Sequence, residues 1–210
     1  MEEIRKLGDL ALKLEKYRYN LTRSLGWVIF GMLFGSAVAF FSGITILIGY
    51  RWYVVASCLI LAGVVGTIVH WMFLRFVPLS EVVNKRWKIG WFLFFVPFII
   101  LYTIPSFLNL TKLQASLYYS LAWYPSLGIG FLLVGIFAEL KDKTLVTRPL
   151  TYAGILITVS SIVLVLMSGF VTDYYGVLAL GLIATSMMLL IYLGAFLLAF
   201  FRSSKAVFET

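Results

Sequence analysis

A chain of 210 residues that is 62% hydrophobic and only 12% charged, with a mean hydropathy of +1.01, is far more apolar than ordinary soluble domains, which run at about 45–50% apolar and about 25% charged. A soluble fold of this size could not hide so much apolar surface, so a bilayer must serve as its solvent. The formal net charge is +8, but the basic residues lie in short gaps between apolar runs. That placement argues against nucleic acid as a partner and suits anionic headgroups and topology control.

The expected fold is an all-α integral membrane protein: six transmembrane helices in antiparallel hairpins, preceded by a cytoplasmic amphipathic helix. Residues 1–23 form that helix. Leu7, Leu10, Leu14, Tyr17 and Leu21 step by three and four and make one apolar stripe. Glu2/Lys6 and Asp9/Lys13 are supporting pairs one turn apart, and Gly8 weakens the helix locally. The stripe can lie in the headgroup layer or against a partner helix. Fewer than four heptads are present, which favours the lipid setting. No short apolar core with a small-residue cleavage site follows, so no cleaved signal peptide is expected.

The predicted spans cover about 25–49, 52–74, 88–109, 115–139, 149–171 and 174–201, within a membrane domain of residues 24–202 and before a short cytoplasmic tail at 203–210. Each has the roughly 20 mostly apolar residues a crossing requires. The first carries Gly31, Gly35, Ala39 and Gly43 at every fourth position. Such a smooth face permits close helix packing in lipid, against another span or a second copy in a homo-oligomer. The second holds the lone Cys58, read as a packing residue. It also holds the only histidine, His70, five residues before Arg75. That is about 7.5 Å along a helix, beside the interface-anchoring type Trp71, so His70 reads as a depth marker more than an active-site group.

In the next gap, Ser80 is placed as an N-cap, with Glu81 in the first turn and Lys85 and Arg86 near the end. A surface helix there could dock a cytoplasmic partner; a solvated connector is the plainer reading.

The third and fourth spans are the least regular. The third contains Pro97 and Pro105, and the fourth contains Tyr124-Pro-Ser-Leu-Gly-Ile-Gly130. Proline removes a backbone donor and clashes with the carbonyl four residues back, and nearby glycines let a helix unwind. Paired broken spans at mid-membrane point to a transporter binding site. The pathway candidates are Pro97, Tyr102, Ser106, Tyr119, Tyr124, Pro125, Ser126, Gly128 and Gly130, with Thr103 and Tyr118 beside them. The plain alternative is strong: proline is common in membrane helices, and serine and threonine bond their own helix carbonyls. Asn109-Leu-Thr111 matches a glycosylation sequon but hugs the membrane and is discounted. Ser160, Ser161, Thr185 and Ser186 are expected to make interhelical hydrogen bonds.

Every basic residue except Arg51 and Lys112 falls on one side of this layout. Both termini are therefore expected in the cytoplasm, in a multi-pass cell-membrane protein. All acidic residues lie at span ends or in gaps, which argues against proton- or ion-coupled carriage. No metalloprotease pair, nucleophile elbow or phosphate loop is present. No enzyme activity, cofactor or metal site is expected. The leading reading is a permease-like subunit for a neutral or amphipathic substrate, energised by a separate cytoplasmic ATPase. The alternative is a non-transporting assembly, scaffold or lipid-contact protein.

Overall fold

A computed structural model describes residues 4–15, 17–18, 85–142 and 145–208, together with positions 33, 35–37, 39–40, 43–44, 47, 57, 60–61, 64–65, 68 and 72. Every regular element among these is helical. Four helical stretches are long and apolar enough to cross a membrane: Arg86–Phe107, Lys112–Lys141, Pro149–Ser168 and Tyr174–Lys205. In lipid the backbone must satisfy its own polar groups, and the helix does so within one segment. The described positions of the first two predicted spans are helical, and the rest of those spans lies outside the described residues. Residues 4–15 are helical too, with Leu7, Leu10 and Leu14 exposed.

The first of the four stretches is divided by its prolines into α1 (Lys85–Phe94), α2 (Val96–Thr103) and a tight turn, Ile104–Phe107. Pro97 displaces the carbonyl four residues before it, and the ladder tightens there, with Phe95 N donating to Phe92 O at 3.3 Å. The second stretch is α3 (Lys112–Leu121) and α4 (Trp123–Phe137), joined through Ala122, which keeps helical angles. Pro125 therefore marks a local irregularity, and α4 remains helical through Gly128 and Gly130. Thr111 starts α3 with a capping box: its hydroxyl accepts from Gln114 N, and Gln114 Oε1 accepts from Thr111 N. A short turn, Glu139–Lys141, ends the stretch.

The remaining helices are α5 (Pro149–Ser168) and α6 (Tyr174–Phe208). Proline at the first position of α5 fits a site that needs no donor. Asp173 Oδ1 accepts from Gly176 N at 2.7 Å at the start of α6.

The α4 stretch is central: 56% of its most apolar window is buried, against 17%, 28% and 33% in the other three. Its Tyr124, Leu127, Phe131 and Val134 meet Leu150, Ala153, Ile157 and Leu164 of α5 and Leu180, Ala184, Met188 and Tyr192 of α6 in one cluster. α4 packs most extensively on α5, then on α1 and α2, while α6 packs on α5 and α3. The α4–α5 contact is antiparallel and in strict register. A Cβ on Gly128 would lie 2.7 Å from Thr158 Oγ1, one on Gly154 would lie 2.6 Å from Leu132 N, and one on Gly135 would collide with Thr151. Stepping forward along α4 from 128 to 132 to 135 thus steps back along α5 from 158 to 154 to 151.

Candidate functional site

The pathway candidates fall into two separate groups. Tyr102, Ser106 and Tyr119 lie near the Lys112 end of the helices. Tyr124 to Gly130 lie deeper along α4. Nine residue steps, about 13.5 Å of helical rise, separate Tyr119 from Gly128.

The first group is a clasp between α2 and α3. Tyr118 Oη donates to Leu101 O at 2.8 Å, the carbonyl left without its helix donor because Pro105 has no N–H. Tyr102 Oη donates to Tyr119 O at 3.3 Å, and the Tyr102 and Tyr119 rings lie 6.0 Å apart. Thr103 bonds Ile99 O and Ile100 O of its own helix. Ser106 is exposed and Pro97 is buried. Two tyrosines thus repair and brace a proline-bent segment.

The deeper group is packed. Tyr124 is fully buried, with its hydroxyl 2.7 Å from Ser160 Oγ. Ser160 Oγ also donates to Ile157 O at 3.1 Å, which makes Tyr124 the donor in the pair. Ser126 donates to Ala122 O at 2.6 Å, and Pro125 is half-buried. Gly128 faces Thr158, and a Cβ on Gly130 would lie 2.8 Å from Phe94 O. These glycines let two neighbouring helices approach α4 closely. Ser160 alone of the four mid-span hydroxyls reaches another helix. Ser161, Thr185 and Ser186 bond carbonyls of their own helices, because the second lone pair of a carbonyl one turn back is the nearest acceptor in an apolar setting. Thr158 Oγ1 is buried with no hydrogen-bond partner.

Of the small residues in the first span, Gly35 is buried against Leu189 of α6: a Cβ there would lie 2.7 Å from Leu189 Cδ2. Ala39 and Gly43 are exposed, with open space beside Gly43. Gly31, Cys58, His70, Ser80 and Glu81 lie outside the described residues, as does the Lys85 side chain. Arg86 is exposed at the start of α1.

At the opposite end from the tyrosine clasp is a polar cluster that the amino-acid pattern does not announce. Glu139 is 1% exposed. Its Oε1 accepts from Leu150 N at 3.0 Å, and its Oε2 accepts from Thr151 N at 2.8 Å and Thr151 Oγ1 at 2.9 Å. A carboxylate buried here is stabilised by the positive end of the α5 dipole and by charge-assisted hydrogen bonds. Arg148, at the N-cap position, contributes no side-chain cap, so the capping group comes from the turn that follows α4. The only sequence signal is negative: α5 opens with Pro149 and lacks a capping residue before it.

Nearby, Trp87 Nε1 donates to Asp142 Oδ2 at 3.3 Å. Arg202 Nη1 donates to Tyr152 Oη at 2.6 Å, with the guanidinium 5.4 Å from the Tyr152 ring centre. These bonds bring the start of α1, the end of α4, the start of α5 and the end of α6 together at one end of the bundle. Among the described residues, no three His, Cys, Asp or Glu side chains converge as a metal site would need. Comparison of the chain with known protein families, with curated proteins and with solved structures finds no match to any of the three.

Proposed function

We propose that this chain is a multi-pass protein of the cell membrane that acts by contact, as an assembly or scaffold protein among helices and lipids, with both termini in the cytoplasm. The observation that carries the proposal is the use of Gly128 and Gly130. A substrate path through the middle of the fourth span would need space beside them, and that space is taken by Thr158 and by Phe94. Close small-residue contacts are how helices associate in lipid, where apolar burial gives no driving force. The basic residues Arg86, Lys88, Lys141, Arg148 and Arg202 all belong to the polar end of the bundle, as the expected cytoplasmic side requires.

Purification of the tagged full chain from native membranes in mild detergent tests this reading. The expected result is a stoichiometric membrane partner, or a defined homo-oligomer, with no uptake or efflux defect on deletion. A stoichiometric cytoplasmic ATPase, or a transport defect, would overturn it.

One observation favours the permease-like reading, with a neutral or amphipathic substrate and a separate ATPase. Thr158 Oγ1 is an unpartnered hydroxyl in the bundle interior, about two residues from the Tyr124–Ser160 pair. Unsatisfied buried polar atoms are rare and call for an explanation. Thr158→Val separates the two readings. The contact reading expects unchanged or raised thermal stability and an unchanged deletion-complementation phenotype; the permease reading expects complementation to be lost.

A further inference from the structure

We infer that Arg148, Tyr152 and Arg202 form a docking site for the phosphate of an anionic phospholipid headgroup. Tyr152 N donates to Arg148 O at 3.2 Å, so Arg148, at the N-cap of α5, lies one turn before Tyr152. Arg202 reaches the same turn from α6 and is held there by its hydrogen bond and ring contact with Tyr152. Both arginines are exposed, and neither pairs with a carboxylate among the described residues. The buried acid beside them, Glu139, has both oxygens committed to the first turn of α5. Among the described residues, both guanidinium groups thus stand exposed with no carboxylate in ion-pair contact.

Arg202 spends one donor on Tyr152. A guanidinium carries five in a planar fork, a geometry suited to phosphate. Fixing that fork on Tyr152 before a ligand arrives lowers the entropy lost on binding.

The depth and the surface below also match a lipid. Pro149–Ser168 begins at this end, and Tyr174–Lys205 finishes there, which puts both arginines at the boundary between headgroups and hydrocarbon. One turn further into the bilayer, Ile155 and Leu156 follow Tyr152 on α5, and Leu198 precedes Arg202 on α6. All three are exposed apolar side chains. A phosphate on the arginines would place acyl chains along that strip.

The inference rests on these helices lying in a bilayer, and not on the assembly reading, since a chain that purifies with no protein partner can still be titrated with lipid. The full chain in neutral detergent is titrated with phosphatidylglycerol or phosphatidylcholine and followed by native mass spectrometry and thermal unfolding. Phosphatidylglycerol should be retained and should raise the unfolding temperature, and phosphatidylcholine should do neither. Arg148→Gln and Arg202→Gln should each weaken phosphatidylglycerol about fivefold. Lys88→Gln, which removes one exposed charge from the same end, should change it by less than about twofold. Equal retention of both lipids, an unaffected Arg148→Gln/Arg202→Gln double variant, or an equal effect of Lys88→Gln would overturn the site. Should the double variant fail to fold, as judged by circular dichroism and gel filtration, Tyr152→Phe replaces it. That variant frees Arg202 while keeping every charge and should still weaken phosphatidylglycerol; unchanged binding overturns the site.

Discussion

Glu139 shows how one residue can join two spans. Its carboxylate, buried in the short turn after α4, meets the donors that α5 cannot satisfy within its own first turn. Glu139→Ala removes the acceptors and leaves Leu150 N, Thr151 N and Thr151 Oγ1 buried without partners. Each unsatisfied group costs about 1–3 kcal/mol, so the variant is expected to lose at least about 2 kcal/mol of stability, read as a lower unfolding temperature in detergent. Glu139→Gln keeps two hydrogen-bonding atoms but only one acceptor, and should fall between Ala and the native residue. Equal stability of all three would remove the cap from the account. Tyr118 makes a smaller case of the same kind. It serves the Leu101 carbonyl that Pro105 leaves free, so Tyr118→Phe should cost about 1 kcal/mol with the spans otherwise intact.

Between helices, the deciding quantity is the space beside each glycine. On the α4–α5 seam, the atoms facing Gly154 include the backbone of Leu132 and Gly128, and backbone cannot rotate away. Gly154→Ala must therefore separate the helices, at a cost of about 1–3 kcal/mol. Gly194 lies exposed on α6 with nothing within 4 Å. Gly194→Ala should be neutral, or stabilising by up to about 1 kcal/mol through helix propensity. Comparing the two unfolding temperatures checks the seam, and equal effects would dismiss it. The sequence makes much of this level legible: runs of apolar residues set the helices, and the prolines of the third span mark where it divides, whereas the expected opening at Tyr124–Gly130 is a continuous helix. It did not distinguish a glycine that loosens a helix from one that admits a neighbour, because Gly128 and Gly130 have the same local pattern under both roles. What separates them is the register with α5 and the position of Phe94, which is information held between helices. The capping role of Glu139 is illegible for the same reason, since its partners lie more than ten residues away and no spacing rule links them.

For the whole molecule, Gly35 supplies a testable contact between the N-terminal part of the chain and the last span. It is buried against Leu189 of α6, while Gly43, two turns further along, is exposed with open space around it. The every-fourth-residue pattern treated these two positions alike; the structure gives them different neighbours. Gly35→Ile would drive a branched side chain into Leu189, and the expected loss is about 1–3 kcal/mol, measured as the unfolding temperature of the full chain in detergent. Gly43→Ile meets no such obstacle and should change stability little. Leu189 presents the far end of a flexible side chain, so shortening it should make room: Gly35→Ile with Leu189→Ala is expected to recover part of the loss, although Leu189→Ala alone should destabilise by leaving a cavity. A double-mutant cycle over these variants isolates the contact itself. A coupling energy near zero would mean that Gly35 and Leu189 do not meet in the folded protein. A favourable coupling of about 1 kcal/mol or more would fix the first span against the last through the Gly35–Leu189 contact.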